Sequence, residues 1–159
     1  MPLRAGVGYD IHRKLAGRRL ILGGVEFQGE RGLDGHSDAD VLLHAIGDAL
    51  LGALALGDLG DHFPPSDPKW KDASSLDLLR SIYALVTARG AKVVNIDATV
   101  IAESPKLSTR RDEMRANIAN ALGISIETVS IKATTQEGLG ALGRDEGIAA
   151  WAVAMVETS

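Results

Sequence analysis

Asp38-Ala39-Asp40-Val41-Leu42-Leu43-His44-Ala45-Ile46-Gly47-Asp48-Ala49-Leu50-Leu51-Gly52-Ala53-Leu54-Ala55-Leu56 is the stretch on which the reading of the fold turns. At about 100° per residue, Val41, Leu42, Ala45, Ile46, Ala49, Leu50, Ala53 and Leu54 cover most of a helical circumference and leave a narrow polar strip of Asp40, His44 and Asp48. A helix that is apolar nearly all round is a buried helix, so this segment, about Asp38 to Leu56, is expected to lie against the rest of the protein. Ser37, with Asp40 three residues on, has the form of a capping box that would start it. A polar group on a buried helix is costly unless paired. His44 therefore needs a metal, a carboxylate or a ligand; a hydrogen bond to Asp40 or Asp48, each one turn away, would meet the same demand.

A candidate partner lies upstream in Gly8-Tyr9-Asp10-Ile11-His12. In a strand, residues two apart share a face about 6 to 7 Å apart along the chain, which puts one carboxylate and one imidazole side by side. A catalytic zinc site takes three protein ligands and an open position. Asp10 and His12 supply two and His44 a third, although an Asp-x-His pair on a strand is equally satisfied by solvent or hydrogen bonds with no metal. The chain has no cysteine, so disulfides and thiolate sites are excluded and any metal must sit on imidazole and carboxylate.

The remaining segments alternate between strand and helix signals. A first strand is expected over about Arg4 to His12, and Gly23-Gly24 between Leu20-Ile21-Leu22 and Val25-Glu26-Phe27 marks a hairpin turn or bulge. The stretch from Gly57 to Pro68 is too rich in Gly, Pro and Asp for regular structure and reads as a functional loop. A second helix, Ser74 to Arg89, opens on Ser74 with Asp77 three residues later and stops at Gly90. Its amphipathic stripe carries no assigned chemistry. From Val93 to Glu103 the residues alternate, with Val94, Ile96, Ala98, Val100 and Ala102 on the inner face. A third helix ends at Gly123, Val129 to Thr135 is a strand, the Gly-rich run to Arg144 is a flexible turn, and Ile148 to Val156 is a continuous apolar strand. The order predicts an α/β (α+β) protein: a single-layer mixed sheet with helices on one face, the other face left to a partner chain.

The 159 residues fit one domain, taken as 1–159, and 45% hydrophobic with 24% charged residues excludes disordered and fibrous classes. A net charge of −4 gives no electrostatic reason to bind nucleic acid or an anionic membrane. With no signal-like apolar run at the start and no stretch near the ~20 apolar residues of a membrane span, a cytoplasmic protein is expected.

Beyond the Asp10, His12 and His44 group, Ala133-Thr134-Thr135-Gln136-Glu137 puts hydroxyls, amides and a carboxylate at a strand end, where a phosphate or a harder cation such as Mg²⁺ would sit. A polar turn is the plainer account of the same residues. Pro105 and Lys106 mark a second strand end. Together, the segments Gly8–His12, His36–Ala45, Ala55–Pro64, Ser104–Leu107, Lys132–Glu137 and Gly143–Ile148 resemble the 2-C-methyl-D-erythritol 2,4-cyclodiphosphate synthase family over essentially the whole chain.

That resemblance implies a homotrimer with active sites between subunits. It also implies a cyclising lyase reaction on 4-diphosphocytidyl-2-C-methyl-D-erythritol 2-phosphate that releases CMP, in non-mevalonate isoprenoid synthesis. By resemblance, Asp10, His12 and His44 hold Zn²⁺ and also meet substrate, and Glu137 holds Mg²⁺ or Mn²⁺ with the substrate phosphates. His36 and Thr135 are implied as catalytic. His36 and Ser37 contact the phosphate and polyol region, Asp58 and Gly60 the ribose, and Phe63 to Asp67 the erythritol part. Ala102, Pro105, Lys106, Leu107, Ser108, Ala133, Thr134 and Thr135 come from the neighbouring chain to enclose cytosine and phosphates, with Arg144 near the diphosphate or the trimer axis. Pro65 and Ala141 depart from the family pattern, at a polyol contact and at a cavity wall. A zinc phosphohydrolase and a trimeric nucleotide- or isoprenoid-binding protein without turnover are the alternatives.

Overall fold

The computed structural model describes residues 2–159; Met1, included in the expected 1–159 domain, lies outside them. A long first strand, β1 (Leu3–Leu15), is followed by the short strands β2 (Leu20–Leu22), β3 (Val25–Phe27) and β4 (Gly32–Leu33). Then come α1 (Val41–Ala53), the one-turn α2 (Leu59–His62), α3 (Ser75–Ala88), β5 (Lys92–Ile101), α4 (Arg111–Leu122), β6 (Val129–Thr134), the one-turn α5 (Gly140–Gly143) and β7 (Gly147–Glu157). The main sheet runs β4-β1-β7-β5-β6, and β2 and β3 form a separate hairpin across the expected Gly23-Gly24 turn. Among the described residues, only the β5–β6 pair of the main sheet is parallel, so the sheet is mixed, as expected.

Helix α1 lies across β1 and β7, with α3 packed beside it and α4 beside α3 and β6. Leu42, Ile46 and Leu50 are fully buried, each contributing about 1.5–3 kcal/mol of burial. Small residues set the spacing: a β-carbon on Gly6 would meet the Ala49 carbonyl oxygen at 1.9 Å, so strand and helix backbones are in contact. A glycine inside a strand often marks such an approach. The opposite face carries Leu3, Val7, Tyr9, Ile11, Trp151 and Val153, all exposed.

Several boundaries differ from those read in the sequence. Helix α1 starts later and ends earlier than 38–56, because Ala39 and Ala55 adopt left-handed backbone (φ 57° and 55°). Its N-cap is Asp40, whose carboxylate accepts from Leu43 N–H and also from Gly23 and Gly24 N–H; Ser37 does not cap it. Ser74 occupies the N-cap position of α3 without a side-chain bond, and Asp77 pairs with Arg80 instead. The Gly57–Pro68 segment is not irregular throughout: Asp58 and Asp61 form a capping box that starts α2. A bulge between Val93 and Asn95 turns Val93 inward and leaves Val94 exposed, reversing the expected placement of Val94.

Candidate active site

Strand β1 presents Asp10 and His12 toward α1, and α1 presents His44 toward β1. Asp10 Oδ2 stands 2.8 Å from His12 Nε2 and 3.1 Å from His44 Nδ1, and the two ring nitrogens are 3.4 Å apart. The half-buried trio is a group able to hold a metal ion. Zinc bonded at about 2.0–2.1 Å in a tetrahedron has donor atoms about 3.3 Å apart, close to these separations.

The outer partners define which ring atoms carry protons. His12 Nδ1 lies 2.6 Å from the Asp34 carbonyl oxygen, which can only accept, so Nδ1–H donates and Nε2 turns its lone pair to the site. His44 Nε2 lies 3.0 Å from Ser75 Oγ and 3.1 Å from Ser37 Oγ. The Ser75 hydroxyl donates to Asp38 and so accepts from His44 Nε2–H, leaving Nδ1 as a lone pair. Three acceptor atoms thus converge, an arrangement that requires a cation, either a proton or a metal ion, among them. Fixing a ligand imidazole through its other nitrogen is the usual outer shell of a metal site.

Electrostatics follow the same geometry. Burial raises the Asp10 carboxyl, but hydrogen bonds from His12 and His44 and their charges outweigh it and hold it down at about 2. Burial lowers His12, and its bond and charge interaction with Asp10, with the Asp34 contacts, overcome this and leave it above its ordinary value.

The trio opens into a cleft of about 240 Å³ that His36, Ser37, Gly60, Phe63, Pro65 and Trp70 also line. Arg18 shapes its rim by donating to the Gly35 and Ser37 carbonyls at 3.0 and 2.9 Å. His36 Nε2 is 3.3 Å from the Asp67 carbonyl oxygen, and Phe63 packs edge-on against Trp70. The carboxylates of Asp58 and Asp67 accept from backbone N–H groups of Asp61 and Lys69, and neither residue lines the cleft.

A separate groove of about 270 Å³ gathers Ala102, Pro105, Lys106, Leu107, Ser108, Ala133, Thr134 and Thr135, at the carboxyl ends of the parallel strands β5 and β6, where Ile101 pairs with Thr134. Crevices at such strand ends commonly bind ligands. Glu103, inside the expected 102–108 segment, and Arg111, which the sequence did not point to, also line it. Glu103 accepts from Gln136 N–H at 2.6 Å, tying the groove to the turn bearing Glu137, whose φ is 56°. Glu137 and Arg144 line neither cavity; Arg144 pairs with Glu146 at 2.6 Å. Ala141 lines a third hollow with Ile11, Arg13 and Leu142.

Ser75 was missed because α3 reads as an ordinary amphipathic helix; only its packing on α1 brings the hydroxyl to His44. The His44 imidazole meets Asp10, His12, Ser37 and Ser75, not the carboxylates of Asp40 or Asp48, which bond to backbone N–H groups instead.

Comparisons with known proteins agree with this layout. The family model described as the YgbB family matches residues 3–157. The 2-C-methyl-D-erythritol 2,4-cyclodiphosphate synthase of Salinibacter ruber is 57% identical over 99% of this chain and 100% of its own. The bifunctional IspD/IspF enzyme of Anaeromyxobacter dehalogenans is 60% identical over 98% of this chain, which spans 40% of that relative's length. Among solved structures, the CDP complex of Plasmodium falciparum IspF superposes with a TM-score of 0.87 at 33% identity, over 99% of this chain and 97% of the other. With nearly every described residue matched, the chain belongs to the YgbB family, in which its full-length relatives are cyclodiphosphate synthases.

Proposed function

We propose that the protein is a metal-dependent cyclodiphosphate synthase of isoprenoid biosynthesis. In this reading the 2-phosphate of 4-diphosphocytidyl-2-C-methyl-D-erythritol 2-phosphate attacks the β-phosphorus and CMP departs. The observation that carries the reading is the convergence of one ligand atom each from Asp10, His12 and His44 at a cleft, in a chain 57% identical to a cyclodiphosphate synthase over its full length.

Divalent cations, Zn²⁺ on Asp10, His12 and His44 and Mg²⁺ or Mn²⁺ on Glu137, would polarise phosphoryl oxygens and offset their charge. The chain's own residues supply position. Ser37 and His36, held by the Arg18 bridges, face the phosphate and polyol region, and Gly60 and Phe63 wall the cleft, with Asp58 and Asp67 fixing the backbone that carries them. No side-chain nucleophile is needed, since proximity alone contributes up to roughly 7–11 kcal/mol for a well-oriented intramolecular attack. Thr135, Lys106 and backbone N–H groups of the second groove serve as donors to phosphates and cytosine. The CDP bound in the Plasmodium falciparum relative supports a cytidine nucleotide there.

Cleft and groove share no lining residue within one chain, and the exposed apolar face supports a homotrimer in which a second copy brings its groove over the first copy's metal. One domain per chain is supported by the single buried cluster spanning all layers. No described helix is long and apolar enough to cross a membrane; a cytoplasmic enzyme accords with the small water-soluble substrate.

Incubating the diphosphocytidyl substrate with and without chelator tests the reaction. CMP plus cyclic diphosphate is expected, and open-chain phosphates would make the protein a hydrolase. Mixed Asp10→Ala and Glu137→Ala chains should regain activity that neither has alone; no recovery would contradict shared sites.

A further inference from the structure

Lys14 lies two residues beyond His12 on the same face of β1, and its side chain is only 2% exposed. An ammonium so deeply placed must be paired. Its three N–H donors meet three acceptors: Asp145 Oδ1 at 2.6 Å, the Ser104 carbonyl oxygen at 2.9 Å and Ser104 Oγ at 3.0 Å. The Ser104 hydroxyl in turn donates to Asp145 Oδ2 at 2.9 Å. Arg31 closes the cluster, donating to the Asp145 carbonyl at 2.9 Å and to its Oδ2 at 3.3 Å. Asp145 holds a left-handed backbone, φ 61°, which costs a residue with a β-carbon and persists where surroundings over-determine it. Burial raises its carboxyl, yet the bonds from Lys14 and Ser104 with the Lys14 and Arg31 charges bring it net below its ordinary value.

None of Lys14, Ser104 and Asp145 lines the β5–β6 groove, but Ser104 sits between the groove residues Glu103 and Pro105. Both hydrogen-bonding atoms of Ser104 that face inward are taken by the Lys14 cluster. The groove loop is thus fastened to the strand that carries two of the candidate metal ligands.

We propose that Lys14 is a positioning residue: with Asp145 it clamps Ser104 and so sets where Glu103, Pro105 and Lys106 stand for a cytidine nucleotide. This rests on the reading of the groove as the nucleotide contact. A supporting shell of this kind governs how far a contact residue strays from its productive place, and displacement near 1 Å is enough to cost substantial activity.

The test uses CMP as probe on the full chain. In Lys14→Met, the dissociation constant for CMP and the KM for the diphosphocytidyl substrate are expected to rise about tenfold, while kcat changes less than about threefold and zinc content stays at the wild-type level. Ser104→Ala, which removes one hydroxyl and keeps the buried pair, carries the test if Lys14→Met does not fold; its CMP affinity should fall about threefold. Hydrogen exchange of free Ser104→Ala should quicken in segment 103–108 and not in α1. Unchanged CMP affinity and KM in both variants, or exchange that quickens equally throughout the chain, would overturn the clamp. If wild-type protein binds no CMP, the nucleotide reading falls, and with it the proposed role of Lys14, even where the exchange result shows that the loop is anchored.

Discussion

Gly8 and Ala45 touch backbone to backbone: a β-carbon on Gly8 would stand 1.8 Å from the Ala45 carbonyl oxygen. The contact lies one residue from His44 and two from Asp10, so it sets the distance across which the carboxylate and imidazole meet. Gly8→Ala must push α1 away from β1. Overpacking of this kind typically costs about 1–3 kcal/mol, and contact with a backbone atom leaves little room to relax. Urea unfolding should register at least that loss, with weakened zinc binding. Wild-type stability and zinc content would mean that the helix shifts freely.

His44→Ala removes one of three donors and should abolish stoichiometric zinc binding at micromolar metal. Ser75→Ala leaves the donors in place but frees the His44 ring and its tautomer, so zinc affinity should fall by about 10- to 100-fold. Metal analysis after dialysis checks both. Full zinc in the His44 variant would return that residue to a structural role.

The metal-free and metal-bound proteins should respond to pH in opposite ways. Without metal, the His12 contribution to stability is complete below its unfolded value of 6.5 and lost as pH rises through the raised folded value. The Asp10 contribution is present above 3.8 and lost as pH falls toward about 2. Metal-free melting temperatures should therefore carry a gain between these limits that an Asp10→Asn variant lacks. Zinc must displace the His12 proton, so its affinity should climb with pH through the same raised value. Zinc affinity that is flat between pH 6 and 8 would show that His12 carries no proton to displace.

Asp40 is fully buried, and burial, with the charge of Asp38, pushes its carboxyl up to about 6 against the N–H donors of Gly24, Leu43 and Gly23. Asp40→Ala removes a helix cap, worth about 1 kcal/mol, and strands buried N–H groups at about 1–3 kcal/mol each. A loss on the order of 3–5 kcal/mol in urea unfolding is expected at pH 7.5. Because the folded value is raised, the wild-type contribution grows as pH falls through 6 toward 3.8, so its margin over the variant should be larger at pH 5. A smaller margin there would contradict the direction of the shift.

Tyr9 and Trp151 sit opposite each other in the β1–β7 register, with ring centroids 4.6 Å apart and both rings exposed. Apolar area of this extent on a sheet face marks an interface. If the proposed homotrimer forms through this face, Trp151→Glu should give single chains in sedimentation that still bind zinc, since all three candidate ligands belong to one chain, and should lose activity. Trimers in that variant, or an active single chain, would remove the interface from the site.

How much of the site could be read beforehand varied with the kind of signal. His44 stood out because a period of 3.6 left it on a polar strip among buried positions, and Asp10 and His12 because strand alternation put them on one face. Those signals are local. Ser75, the bulge that exchanges Val93 for Val94, and the three acceptors of Lys14 have no local signature, since each depends on which element lies opposite.

The amino-acid sequence by itself determined the mixed sheet with helices on one face, a turn or bulge at Gly23-Gly24, the end of a helix at Gly123 and the residue types of the candidate metal group, because hydrophobic period, turn chemistry and donor chemistry are properties of short stretches. Tertiary structure alone decided that Asp40 braces the hairpin instead of pairing with His44. It also decided that Ser75 and Asp34 set the two ring tautomers and that Lys14 holds Ser104. Those outcomes follow from close packing: Gly6 and Gly8 let α1 settle onto β1, and once the backbones are that close, every buried donor and acceptor must take the partner that the opposing element happens to present.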